Sequence, residues 1–406
     1  MSRKQIRVLI ALVVILVGMF FYFTKIRTNN RAKNTKQIQL ETSTPQAIQN
    51  EGPVNPITGK ACDNWDRRLV AIMQPSDLQA RPAAGFSEAD MIFEMPAYTS
   101  SVTRLMGVYG CTIPKEIGAI RSSRHDYIAL AKGINAFFIH WGGSHFALDL
   151  LKQNVIDHID CMNTNYCARW TPTGKMRMED TGYITGENVL TAMKNLSVDM
   201  KDKFVGYPHQ AEALLDQRPE SGHLRVAFAK PFDVEYDYDK NSNTYLRNWD
   251  GETDVDRNNQ QRLAPKNIVV MFARSEQITN TQDYTGKGLR SPWENVEEIK
   301  NTGVESISGR YNNVEIGDPW YDESDSGEAY YYMNGKQYHG NWKKDKSSLD
   351  SKLFFYGDDG KEIPFVPGQI WVEILEPGQA LRWTSPYPDV TAQESTPQNS
   401  ADSTQS

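Results

Sequence analysis

One unbroken apolar run, Val8 to Phe23 (VLIALVVILVGMFFYF), constrains this chain more than any other feature, because the sequence holds no second run like it. Its 16 residues fall just short of a spanning helix, and Thr24 with snorkelling Arg7 and Lys25 extends it. The aromatic end, Phe20 to Phe23, suits a membrane interface. A cleaved leader needs small residues after its apolar core. Here Phe-Phe-Tyr-Phe-Thr-Lys-Ile-Arg follows instead, and the first cysteine is Cys62. The spacing therefore predicts an uncleaved signal anchor: residues 1–7 cytoplasmic, 8–24 transmembrane, and a single-pass protein of the cell membrane. Three Lys/Arg before the run and five after it pull weakly towards a cytoplasmic body. The size of that body and its cysteines favour an extracytoplasmic one.

Charge follows the same division. All eight basic residues of positions 1–36 surround the anchor without one acid, leaving 36 basic against 51 acidic residues in the rest, a formal −15. A body of that sign lacks the phosphate-neutralising surface that nucleic-acid binding requires, so nucleic acid is not among the expected partners. The four cysteines, Cys62, Cys111, Cys161 and Cys167, allow three pairings. The interval CMNTNYC reads as a loop stapled by Cys161 and Cys167, which leaves Cys62 for Cys111; four reduced thiols are the alternative. An even count fits an oxidising exterior, and the five-residue gap is not a zinc spacing.

Residues 25–52 are polar and aperiodic, and read as a linker. The Ser/Thr/Pro/Gln-rich end, drawn from residue 379 to 406, reads as a disordered tail. Between them, Leu69–Met73, Met91–Met95, Leu105–Tyr109 and Ala136–Trp141 have strand character. His125–Lys132, His145–Gln153 and Glu187–Asn195 have helical spacing. These patterns predict a layered α/β sandwich over residues 53–225. Beyond it, strand candidates dominate: Arg225–Phe228, Val234–Tyr238, Tyr245–Trp249, Asn267–Phe272, Ala329–Met333, Lys352–Tyr356 and Ile370–Leu375. Turn chemistry at Asp239–Asn243, Asn334-Gly335 and Asp358-Asp359-Gly360 predicts a mostly antiparallel, β-rich region over 226–378.

Chemistry concentrates between Asp90 and Ser144. Arg121-Ser122-Ser123-Arg124 stands just before a helix; two guanidiniums and helix N-terminal amides suit an anion. The bland reading is an ion-pair knot of Arg104, Arg121 and Arg124 with Asp90, Glu94 and Asp126. Gly142-Gly143-Ser144 joins a strand to a helix, where glycines admit close backbone approach and Ser144 caps. His125, His140, His145 and His158 lack the shared face of helical metal ligands. Nucleophile motifs and a P-loop are absent. Trp320, Trp342, Trp371 and Tyr330 to Tyr332 read as core, with a glycan or peptide platform as the alternative.

The runs RPAAGFSEADMIFE, SVTRLMGVYG, IGAIRSSRHDYIALA and NAFFIHWGGSHFAL resemble the YerB-like family, a bacterial domain of unknown function (3048) usually found on lipoproteins. GEAYYYMNGKQYHGNWKK and DDGKEIPFVPGQIWVEI resemble its C-terminal β region, so the likeness covers most of residues 53–377. It implies an envelope protein and brings no reaction. Two departures stand out: an anchor in place of a lipidated cysteine, and no His-Asn pair after Trp170. A more distant likeness is to cell-wall polymer ligases that transfer glycopolymers from a polyprenyl pyrophosphate. It implies a divalent cation such as Mg²⁺ on Asp90 and a pyrophosphate on Arg121 and Arg124.

The leading expectation is a membrane-anchored extracytoplasmic binding or regulatory module in envelope assembly. Its anionic ligand would meet Arg104, Arg121, Arg124, Gly142, Gly143 and Ser144. The alternatives are a phosphotransferase using Asp90 and a scaffold that binds cell-wall proteins.

Overall fold

Two runs of six consecutive buried residues, Val70–Pro75 (β1) and Met91–Pro96 (β2), require a sheet covered on both faces; a strand wet on one side would alternate. The computed structural model describes residues 52–97, 102–278, 311–317 and 324–386. The first half continues with β3 (Thr103–Tyr109), β4 (Glu116–Gly118), α1 (His125–Gly133), β5 (Phe137–His140), α2 (His145–Lys152), β6 (His158–Asp160), β7 (Cys167–Arg169), β8 (Gly182–Thr185) and α3 (Gly186–Asn195). The second half is strands: β9 (His223–Val226), β10 (Val234–Asp239), β11 (Thr244–Trp249), β12 (Glu252–Thr253), β13 (Asn267–Phe272), β14 (Ser275–Ile278), β15 (Tyr311–Val314), β16 (Ser326–Met333), β17 (Lys336–Lys343), β18 (Phe354–Gly357), β19 (Ile370–Leu375) and β20 (Leu381–Thr384).

Ten of these form one sheet, ordered β18, β17, β16, β13, β19, β2, β3, β1, β5, β6. Strand β19 lies between β13 and β2 and runs parallel to both. The sheet therefore takes strands from both sides of residue 225; within the second region the β13–β19 pair is parallel and the other described pairs are antiparallel. The described fold is β-rich with three α-helices. The 379–406 stretch is not all tail, because β20 adds to a second, five-stranded sheet by pairing with β9. The expected anchor, residues 8–24, lies outside the described residues, and no described helix is long and apolar enough to cross a membrane.

Strand alternation sorts the core into layers. Ala71, Met73, Phe93, Met95, Met106 and Val108 meet Tyr127, Ile128, Leu130, Ala147 and Leu150 from α1 and α2. Their neighbours Val70, Ile72, Ile92, Leu105 and Tyr109 point the other way, onto Val189, Ala192 and Met193 of α3. Further along that face, Ile268 and Val270 pack on the five-stranded sheet through Tyr236, Tyr245 and Leu224. Each such side chain contributes about 1.5–3 kcal/mol on burial. Trp342, Trp371, Tyr331 and Tyr332 are all fully buried, so these four are core packing rather than a platform; Tyr330 is partly exposed against His339, and Trp320 lies outside the described residues. Asn334 (φ 53°) and Gly335 (φ 68°) supply the two positive-φ positions that a tight turn between β16 and β17 needs. All the described sheets, cores and both disulfides lie within one unit, Ala47–Ser406.

Candidate functional site

The segment after β4 does not follow β3 back along its edge but lies beside the end of β1, where the Arg121 amide donates to the Met73 carbonyl at 2.8 Å. From its other side, Trp141 N–H donates to Arg121 O at 3.0 Å, Ser123 N–H to Gly142 O at 3.0 Å, and Ser144 N–H to Ser123 O at 3.1 Å. The Arg121–Arg124 and Trp141–Ser144 turns thus form one joint, and each leads straight into a helix, α1 and α2. Ser144 Oγ accepts from Ala147 N–H at 3.2 Å, capping α2 as the sequence implies. Gly142 has φ 65°, and a Cβ there would stand 2.9 Å from Met162 Sδ. Asp160 fixes the turn by accepting from Gly142 N–H at 2.8 Å.

Arg121 is 15% exposed in its side chain and meets three carboxylates: Asp77 at 3.5 Å, Glu179 at 3.2 Å and Asp180 at 3.5 Å. Arg177 meets the same three, at 3.2, 3.1 and 2.6 Å, and its hydrogen bond to Asp180 pushes its pKa above the usual arginine value. Arg104, at the start of β3, reaches Asp77 at 3.9 Å. Arg124 is buried at the start of α1 and donates to Ser123 O at 2.9 Å. Arg169 lies 4.1 Å over the Trp141 ring and donates to Met178 O at 2.6 Å and to Thr181 Oγ1 at 3.3 Å; among the described residues no carboxylate pairs with it.

Arg104, Arg121 and the Gly142–Ser144 turn therefore come together, but the acids beside them are not those the spacing suggests. Glu94 pairs with Arg247 at 2.6 Å, and Asp126 accepts from Val314 N–H at 2.9 Å. Asp90 is separated altogether. Its amide bonds to Val108 O, whereas Arg104 faces Met95, and five residues of strand put about 17 Å between those positions. A cation on Asp90 could not bridge to a phosphate held by Arg121. Among the described residues no group of three His, Cys, Asp or Glu is arranged to hold a metal ion. Sequence reasoning missed Asp77, Arg169, Arg177, Glu179 and Asp180. The one local signal was the Arg177-Met178-Glu179-Asp180 turn, whose first and last residues bond at 2.6 Å.

Asp90 instead accepts from Gly110 N–H at 2.6 Å and is 7% exposed. Burial lifts its carboxyl from 3.8 to about 6, against hydrogen bonds from Gly110 and Cys111 and the charge of Arg67. A carboxyl raised in the folded state favours its protonated form. Its stabilising effect is complete below the unfolded value and lost as pH rises through the folded one. The span from 3.8 to about 6 is worth about 3 kcal/mol. Relative to Asp90→Asn, the native protein should thus lose about 3 kcal/mol in urea unfolding between pH 3.5 and 6.5; parallel pH profiles would refute the assignment.

His140 is buried and pushed down to about 4 by that burial. Neutral, it donates from Nδ1 to Gly142 O at 2.8 Å and leaves Nε2 to accept from His158 Nδ1 at 3.0 Å. The two rings support the glycine turn. His125 Nε2 bonds Asn313 Oδ1 at 3.0 Å. The cysteines pair as Cys62–Cys111 and Cys161–Cys167, with Cα separations of 5.8 and 5.4 Å.

Two family models match the chain: "Protein of unknown function (DUF3048) N-terminal domain" over residues 57–201 and the C-terminal domain of the same description over 224–372. Together they cover more than half of the chain, which belongs to this family. It is 24% identical over 327 residues to "Putative lipoprotein YerB" of Bacillus subtilis (strain 168), across 79% of this chain and 85% of the relative. The crystal structure of YerB from Bacillus subtilis shares the fold, with TM-score 0.65, 22% identity, and coverage of 82% of this chain and 99% of that one. A relative named as a lipoprotein and two disulfides both fit a body outside the cytoplasm.

Proposed function

We propose that this chain is an extracytoplasmic binding module of the bacterial cell envelope, tethered by residues 8–24, whose ligand presents an anionic group to Arg121, Arg169 and Arg177 beside the Gly142–Ser144 turn. One observation carries the reading: in a body of charge −15, Arg121 and Arg177 share the same three carboxylates, and Arg169, bonded to the Met178 carbonyl next to Arg177, pairs with none of the described carboxylates. The acid partner most open to replacement is Glu179, 54% exposed on a short turn. An incoming phosphate or carboxylate displaces Glu179 and gains charge-assisted hydrogen bonds. Helix N-termini add favourable potential. Phosphoryl transfer through a cation on Asp90 draws no support from this geometry.

Thermal unfolding of Ala47–Ser406 with pyrophosphate, against NaCl of equal ionic strength, tests the reading. Binding to the folded state alone stabilises by about 2.7 kcal/mol at one hundred times Kd. The midpoint should rise for the native unit and stay put for Arg121→Gln. Equal responses in the two proteins, or none in either, would favour the scaffold reading.

A further inference from the structure

The ligand of this site can be specified further, on the assumption that the arginines do bind an anion. Large apolar side chains normally avoid the neighbourhood of a charged cluster, yet three exposed ones adjoin this one. Leu78, 52% exposed, follows Asp77; Met178, 60% exposed, follows Arg177; Met162, 66% exposed, packs on Gly142. Single exposed apolar residues are ordinary on a protein surface; Leu78 carries the argument because it also lines a cleft.

Leu78 also opens a cleft of about 190 Å³ whose other walls include Pro82, Trp249 and Val255. Two of the charges at this cleft pair with each other, Arg81 donating to both Asp254 oxygens at 2.8 and 2.7 Å, while the exposed Glu252 and Thr253 also line it. Its open wall is nevertheless mainly apolar. It is far smaller than the roughly 300–1,000 Å³ of a drug-sized pocket, and suits a hydrocarbon chain better than a second polar group. Asp77 and Leu78 are consecutive, so the charged and apolar parts of the surface meet at one peptide bond.

We infer that the ligand is a single-chain amphiphile with a phosphate head. The head lies on Arg121, Arg169 and Arg177, and the hydrocarbon chain crosses Leu78 into the cleft beside Trp249. Three guanidiniums suit a dianionic head with three terminal oxygens better than a carboxylate with two.

Isothermal titration of Ala47–Ser406 separates this inference from the reading beneath it. The probes are dodecyl phosphate below its micelle concentration, methyl phosphate as head without chain, and dodecyl maltoside as chain without charge. Burial of even two methylenes corresponds to about tenfold in affinity, so dodecyl phosphate should bind at least about tenfold tighter than methyl phosphate. Dodecyl maltoside should not saturate. Leu78→Ser, at an exposed position, should remove the advantage of the chain and leave methyl phosphate unchanged, whereas Arg121→Gln should weaken both phosphates. Equal affinity for the two phosphates would overturn the amphiphile and leave the anion site standing. An advantage that survives Leu78→Ser would overturn the path past Leu78, and no binding of either phosphate would overturn both.

Discussion

Arg247→Met should destabilise the protein by about 3–5 kcal/mol, because it strips the counter-charge from carboxylates that cannot reach water. Arg247 projects from β11 into the gap between the two sheets and is fully buried; its guanidinium bonds Glu94 at 2.6 Å and also Asp254, and lies 4.5 Å over the Trp371 ring. Glu94 and Glu373 stand side by side in register on β2 and β19. Burial, then the neighbouring Glu94 charge, pushes the Glu373 carboxyl well above its usual value, and it accepts a hydrogen bond from the Tyr236 hydroxyl. Glu94 is raised by burial and held down chiefly by Arg247. Without Arg247, Glu94 must take up a proton or remain charged in the interior. The double variant Glu94→Gln/Arg247→Met should recover much of the loss, since removing both partners is far cheaper than removing one. Urea unfolding of the two variants measures both; a single-variant loss below about 1 kcal/mol would mean that the cluster is not the bolt between the sheets.

Breaking the two disulfides should have unequal effects. Cys62–Cys111 closes a separation of 49 residues and Cys161–Cys167 one of 6. Loop-closure entropy then assigns about 4 kcal/mol to the first and about 2 kcal/mol to the second. Cys62→Ser/Cys111→Ser should also free the segment around residues 53–67, whose contacts with the body include Arg67 bonding the Gly110 and Cys111 carbonyls. Cys161→Ser/Cys167→Ser should mainly loosen the short turn after β6. Denaturant midpoints of the two double variants give the comparison, and a larger loss from the shorter loop would contradict it.

How far the sequence anticipates this molecule depends on the range of the interactions. Asn267–Phe272 and Ile370–Leu375 are strands with the limits the apolar runs suggest, because both faces are covered and every residue is apolar or buried. Their parallel pairing joins positions about one hundred residues apart, Asn267 with Ile370, and no local pattern encodes it. Strand β17 escaped notice because only Gly340 and Trp342 of Lys336–Lys343 are buried; the Asn334-Gly335 turn was its one herald. The same divide runs through the site. Arg121–Arg124 and Gly142–Ser144 were legible as strand-to-helix joints, since glycine, serine and the onset of helical spacing are local signals. Asp77 and Glu179 arrive from loops placed by β1 and by the β7–β8 pair, so the true partners of Arg121 could not be read from its neighbours.

The central claim is that an anion settles on Arg121, Arg169 and Arg177 at the joint of the two turns. The most direct measurement is a titration of isotope-labelled Ala47–Ser406 with pyrophosphate, followed through backbone amide chemical shifts. Saturable shifts concentrated at Ser122, Ser123, Gly142, Gly143 and Glu179, and absent in Arg121→Gln, are the predicted result. Saturable shifts confined to another part of the surface, or a spectrum that pyrophosphate leaves unchanged, would contradict it.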